Sequence, residues 1–411
     1  MKLLNRMNQH LLLSLVFLGM MACAQGATLQ ESPERYWDFE QLKQPPTFRD
    51  APFEDSQAEG LRAILVMGYG TGEEKENFNA PQPKPLSAKK KAVFFAYLGF
   101  PSTPVPEGGF PGIVLIHGGG GTAYPEFTRH WINRGYAVIA LDWYNQRPIP
   151  EKSDKGWSVK QREPLQGGKR QDHVSNIANM VLCHSLLLAQ KNVNPAKTAF
   201  VGLSWGSWYG AIVAAIDPRF KGGVEIYCGD VSSRKNLVNG RFHQSAKVPL
   251  YWVAGTNDQN VTLETLKTGF EICPTRVNQS LVIRLPHSHV GFLFESCQRM
   301  AAHFTQGTPG LPKLGELTIQ GDAVSASILE QGKGIQYAVL CYTDSTEKVT
   351  HKREWKSSPA EIKNGRVTAT LPPGAHQFFL SAYDEKSRYN DLCGSTLPAI
   401  LPIPQNTTEA P

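Results

Sequence analysis

Cysteine is scarce in this chain: seven occur among 411 residues, none in a C-x-x-C pair and none at metal-ligating spacing. That excludes a disulfide-built scaffold and a thiolate metal centre as organising principles. Cys183, Cys228, Cys273, Cys297, Cys341 and Cys393 read as buried thiols, with Cys341 and Cys393 the pair the C-terminal region offers if a bridge forms. Long apolar runs are missing as well. The stretch from Leu11 to Ala22 is too short to span a bilayer. Charge of one sign is not in excess either: the formal net charge is +6, and the densest basic cluster, Lys89 to Lys91, adjoins a strand-like run rather than a row of aromatics. Nucleic acid is therefore not an expected partner.

What the N-terminus does have is Lys2 and Arg6 ahead of that short apolar stretch, the shape of a secretory signal over residues 1–24. Two exits stay open. Ala22-Cys23-Ala24 is an A-x-A cleavage site, whereas Met20-Met21-Ala22-Cys23 resembles a bacterial lipobox that leaves Cys23 as a lipid anchor. Both routes predict an exported protein: periplasmic, an outer-membrane lipoprotein, or secreted. A hydrophobic content of 41% and a mean hydropathy of −0.30 describe a soluble globular protein, long enough for two domains.

Alternation of buried strands and helices organises the middle of the chain. Arg62 to Tyr69 and Lys91 to Phe100 read as an antiparallel edge pair. Gly112–Ile116, Ala137–Leu141, Ala199–Val201, Gly223–Tyr227, Pro249–Ala254 and Ser280–Leu285 read as buried strands. Helices are expected from about Tyr124, Asp172, Thr262 and Val290. The pattern predicts a mostly parallel, doubly wound α/β sheet over residues 28–307, the first of these wrapping a surface. After Thr308-Pro309-Gly310 the text changes to short alternating segments divided by glycine, proline and polar turns. That predicts a small all-β sandwich over residues 308–411.

Thr198 to Gly210, TAFVGLSWGSWYG, places G-x-S-x-G between a strand and a helix. The chain turns so sharply at Ser204 that the positions two before and two after it must lack a side chain, and both are glycine. Alone the pattern decides little, since a chain this long carries it by chance at odds of roughly one in five. The other parts of an acyl-transfer site appear in order, however. Asp258 follows the strand ending at Ala254 and is the expected acid, with helix capping as its bland alternative. In Pro286-His287-Ser288-His289-Val290-Gly291-Phe292 two histidines compete for the base. His289 is preferred for the small residues and phenylalanine that follow it, and His287 is the alternative. Backbone N–H groups of Trp205 and of Gly119 or Gly120, in the run Gly118 to Gly121, are the expected oxyanion donors. His173 and His184 read as surface or packing residues. Trp205, Trp208 and Tyr209 lie close enough to the turn to line a sugar pocket, and Gly229 to Lys247 is long enough to act as a lid.

The segments GIVLIHGGGG, RGYAVIALD, GLSWGSWYG, VAGTND and PHSHVGF resemble the dienelactone hydrolase and acetyl xylan esterase group of α/β-hydrolases, from about residue 90 to 305. The resemblance implies Ser204, Asp258 and His289 as a triad and needs neither metal nor organic cofactor. Dienelactone hydrolases proper use cysteine, so serine at 204 points towards the esterases. The C-terminal part is similar to the Ig-like domain of exported bacterial members. The expected activity is that of a serine esterase removing acyl groups, acetyl among them, from carbohydrate or other small esters. A prolyl-oligopeptidase-like peptidase and a non-catalytic glycan- or envelope-binding protein are the alternatives, and the short N-terminal region disfavours the first by leaving no room for a propeller.

Overall fold

The computed structural model describes residues 32–51, 59–70, 85–143, 173–229, 240–285 and 287–402. The export signal and Cys23 lie outside the described residues, as do positions 230–239 of the expected lid. Nine strands make the first sheet: β1 (Phe48–Asp50), β2 (Arg62–Gly70), β3 (Lys90–Gly99), β4 (Phe110–Ile116), β5 (Ala137–Leu141), β6 (Val193–Leu203), β7 (Gly222–Ile226), β8 (Leu250–Gly255) and β9 (Arg276–Val282). Their spatial order is β1-β2-β3-β5-β4-β6-β7-β8-β9. β1, β2 and β3 run antiparallel to their neighbours up to the β3–β5 pairing, and every pair from β5 across to β9 is parallel.

Parallel strands need crossovers, and the helices supply them. The α1 turn (Phe39–Leu42) is followed by α2 (Pro125–Ile132), α3 (His173–Leu188), α4 (Trp205–Ile216), α5 (Gly240–His243), α6 (Leu263–Ile272) and α7 (Glu295–Gln306). β5 and β8 are buried at every position, as strands covered on both faces must be. α3 is buried almost all round because the N-terminal segment lies over it. The Trp37 indole N–H donates to the Val174 carbonyl (2.9 Å), and the Ser185 hydroxyl donates to that of Leu42 (2.7 Å). The surface-wrapping role expected of residues 28–58 is thereby physical for its described part.

β9 begins four residues before the expected Ser280, and its first half, Arg276 to Gln279, is polar. Hydropathy missed it because β9 is an edge strand that faces protein rather than water. Its Asn278 amide donates to the Pro312 carbonyl (2.9 Å), Gln279 donates to Ser395 O, and Ser280 to Cys393 O. Those acceptors belong to a second, antiparallel set of strands: β10 (Lys313–Leu314), β11 (Thr318–Gln320), β12 (Ala323–Glu330), β13 (Tyr337–Thr343), β14 (Lys356–Lys363), β15 (Arg366–Thr370), β16 (Gln377–Tyr383), β17 (Cys393–Ser395) and β18 (Ala399–Ile400). The first part of β14 pairs with β13 and its last three residues pair with β15, so one strand carries the path around a small core of Val324, Leu340, Val367 and Phe378. Leu311, Cys341, Trp355, Phe379 and Leu392 instead join the apolar core of the first sheet, which ties the β domain to it by burial as well as by hydrogen bonds. Cys341 and Cys393 are free, buried thiols, and the bridge considered for them is not made.

Candidate active site

β6 ends at Leu203 and α4 begins at Trp205, leaving Ser204 alone at the turn with φ 55° and ψ −117°. A non-glycine residue held at positive φ costs energy and persists only where the surroundings over-determine it. Here the Ser204 N–H donates to Ile226 O (2.8 Å), and Ser204 O accepts from the Ser207 hydroxyl (2.7 Å) and the Trp208 N–H (3.1 Å). The two motif glycines are steric necessities. A Cβ on Gly206 would stand 2.0 Å from the Ile116 carbonyl oxygen, and one on Gly202 2.5 Å from that of Gly206.

Asp258 follows β8, and its carboxylate is fixed at both ends. Oδ1 accepts from the N–H groups of Asn260 (2.7 Å) and Val261 (3.0 Å), leaving Oδ2 for His287 Nδ1 at 2.6 Å. His287 Nε2 lies 2.9 Å from Ser204 Oγ. A carboxylate only accepts, so Nδ1 carries the proton and Nε2 presents its lone pair to the serine hydroxyl. The Tyr227 ring lies against the imidazole, centroids 4.4 Å apart and planes 26° from parallel. Tyr227 itself has φ 58°, and burial raises its phenol pKa, so a neutral ring faces the histidine. The Asp258 side chain is fully buried and that of His287 is 16% exposed, the exposure a small substrate needs.

The histidine preferred on sequence is not the one the structure brings to the serine. His289 hydrogen-bonds neither Ser204 nor Asp258. It opens the short 3-10 turn His289–Leu293, capped when the Ser288 hydroxyl accepts from the Val290 N–H (3.2 Å), and that turn sends its ring away from His287. It packs on Tyr124 and under the glycine loop, where a Cβ on Gly121 would meet its Nε2 at 2.5 Å. Burial first, then the positive character of His117 and His287, pushes its pKa down to about 4.

The Gly118–Gly121 run follows β4 and is closed by the Gly121 N–H donating to Gly118 O (3.1 Å), which consumes neither the Gly119 nor the Gly120 N–H. Gly119 lies against the Trp205 indole so closely that a Cβ would sit 2.5 Å from Cδ1. The loop therefore borders the start of α4, where the Trp205 N–H has the polarity of a helix N-terminus. His117 braces it, stacked on Trp143 (4.9 Å, 9°) with its Nε2 3.5 Å from Asp142. Trp205 is partly exposed beside the serine, whereas Trp208 is 9% exposed and Tyr209 fully buried, its hydroxyl 2.7 Å from His173 Nδ1. Of the three aromatics weighed for a sugar pocket, Tyr209 packs in the core. Among the described residues no cluster of His, Cys, Asp and Glu is arranged to hold a metal, and no helix is long and apolar enough to cross a membrane.

Serine, imidazole and glycine loop meet at the C-terminal edge of a parallel sheet, and residues 94–283 match the sequence profile of the dienelactone hydrolase family. This stretch is a dienelactone hydrolase-family α/β-hydrolase. No curated protein sequence matches the chain. Among solved structures, an acetyl xylan esterase from Paenibacillus sp. R4 is similar over 65% of this chain and 92% of its own, at 13% identity and a TM-score of 0.45. Acetyl xylan esterase 1 from Thermoanaerobacterium sp. JW/SL YS485 is similar over 66% and 93%, at 12% identity and 0.41. A cold-adapted esterase from an Arctic intertidal metagenomic library is similar over 63% and 98%, at 17% identity and 0.41. Likeness at this level describes the fold. Ser204 and Asp258 fall inside the dienelactone hydrolase-family match, and His287 lies just beyond its end.

Proposed function

We propose that this hydrolase is an exported serine esterase that removes small acyl groups, acetyl foremost, from carbohydrate or similar esters, using Ser204, His287 and Asp258. The observation that supports it best is the unbroken path from Ser204 Oγ to His287 Nε2 (2.9 Å) and from His287 Nδ1 to Asp258 Oδ2 (2.6 Å). In this reading Ser204 Oγ attacks the ester carbonyl as His287 Nε2 takes its proton, and Asp258 stabilises the imidazolium that results. The carbonyl oxygen gains the charge and accepts from the Trp205 N–H and from Gly119 or Gly120, each donor lowering the barrier by about 3 kcal/mol. Collapse expels the alcohol, which receives the proton from His287. Water then repeats the sequence on the acyl-enzyme and releases the acid. Export by signal cleavage or through a lipidated Cys23 belongs to the same proposal, as does a boundary near residue 308 between catalytic and β domains.

The test is hydrolysis of p-nitrophenyl acetate by the wild type and Ser204→Ala. Loss of nearly all activity in the variant is expected, and retention of most of it would end the proposal. Acetylated xylo-oligosaccharides assayed beside aminoacyl-p-nitroanilides separate esterase from peptidase, and a fluorophosphonate probe that leaves the protein unlabelled would favour a binding module.

A further inference from the structure

Asn257 stands at the C-terminal end of β8, directly before Asp258, and its amide is fully committed. Nδ2 donates to His351 O (3.0 Å) and Arg353 O (2.8 Å), both in the β13–β14 connection of the C-terminal β domain. Oδ1 accepts from the Thr256 hydroxyl (2.7 Å). That hydroxyl in turn accepts from the Arg284 N–H (3.2 Å), in the turn that leads from β9 to His287. Arg284 has φ 57°, a conformation that needs outside support in a residue with a side chain. One continuous hydrogen-bonded path therefore runs from β-domain carbonyls through Asn257 and Thr256 into the histidine loop, passing beside the acid.

A primary amide supplies two donors and one acceptor in a plane, and all three are used here. Aspartate would turn an oxygen towards two carbonyls, and an apolar residue would leave those carbonyls unpaired. The β domain also holds the far side of the same segment. Gln377 Nε2 donates to Glu264 Oε1 on α6 (2.8 Å), and the Arg353 guanidinium lies 3.7 Å from it. Residues 256 to 264, with Asp258 between the two anchors, are thus gripped twice by a domain that contributes none of the three side chains.

We infer that Asn257 is a positioning residue through which the C-terminal β domain holds the Asp258 and His287 loops in register. The inference rests on the roles proposed above for Asp258 and His287. In the full-length protein, Asn257→Ala and Thr256→Val should each lower kcat on p-nitrophenyl acetate by about tenfold to a hundredfold with KM changed less than about twofold, the signature of misplaced groups rather than lost binding. Thr256→Ser, which keeps the hydroxyl, should restore the rate. A residue that merely supports the fold would lower the thermal midpoint and leave kcat of the folded protein untouched, and that result overturns the inference. Where Asn257→Ala does not fold, Thr256→Val carries the same test.

A second readout needs no substrate. The His287 Nδ1 proton, shared with Asp258 at 2.6 Å, should give a low-field proton NMR resonance that persists in Ser204→Ala and broadens away in Asn257→Ala. A resonance unchanged in Asn257→Ala overturns the positioning role even if the rate falls. A protein that cleaves no ester but loses the resonance in Asn257→Ala supports positioning and refutes the esterase reading.

Discussion

The two ends of β6 hold the same three-part arrangement with opposite consequences. Past its C-terminal end, Ser204, His287 and Asp258 join at 2.9 and 2.6 Å. Within it, about 20 Å back along the strand, Thr198, His184 and Asp217 join at 2.8 and 2.7 Å, hydroxyl to imidazole to carboxylate. The second set is sealed: His184 and Asp217 are fully buried. His184 lies flat on Phe220, and the Arg219 guanidinium pairs with Asp217. Burial foremost lowers the His184 pKa, so it stays neutral and donates from Nδ1 to an ionised Asp217. The arrangement alone therefore does not make a reactive centre. A strained backbone that lifts the hydroxyl, access for a substrate and N–H groups beside it separate the rim from the base.

Several substitutions sharpen that contrast. The largest effect belongs to the rim: Ser204→Ala or His287→Ala should reduce kcat/KM on p-nitrophenyl acetate by about 10⁴-fold or more with an unchanged thermal midpoint. His289→Gln should stay within about tenfold of wild type, and a loss as large as that of His287→Ala would reverse the assignment of the base. At the other end, Asp217→Asn should cost about 3 to 5 kcal/mol in chemical denaturation, since it strands a buried imidazole and a guanidinium, while kcat of the folded enzyme is kept. Thr198→Val removes only a hydroxyl partner and should cost about 1 kcal/mol by the same measurement.

Acid should act on the buried histidines before it acts on the carboxylates. Burial pushes His243 down to about 3 and His289 to about 4, against 6.5 for an unperturbed imidazole. Their folded values lie below the unfolded one, so the stability they confer is complete above pH 6.5. It is lost as pH falls from there towards 4 and 3, by up to about 1.4 kcal/mol per group per pH unit. A thermal midpoint that does not fall between pH 7 and 5 would contradict this. Asp217, held at about 2 by Arg219 and His184 against the cost of its burial, contributes in the same direction only below its ordinary range near 3.8. Its share is lost last.

How far the chain text reached varies with how local the cause is. The elbow was legible because glycine at 202 and 206 is a steric demand of the turn itself. The antiparallel β2–β3 pair and the buried parallel strands were legible because both faces are covered and their composition says so. β9 was not, because Asn278, Gln279 and Ser280 are polar for the sake of a domain that arrives more than thirty residues later. Tyr227 and Asn257 carried no motif at all. Each matters only through what lies across from it.

By itself the sequence determined the strand and helix order, the sharp turn at Ser204 and the succession serine, acid, histidine, since these depend on periodicity and on backbone sterics within a few residues. Only the tertiary structure decided between His287 and His289. Two imidazoles separated by a single serine have the same local propensities, and the choice is made by a carboxylate from β8, a tyrosine ring from β7 and a capped turn that points the second ring elsewhere.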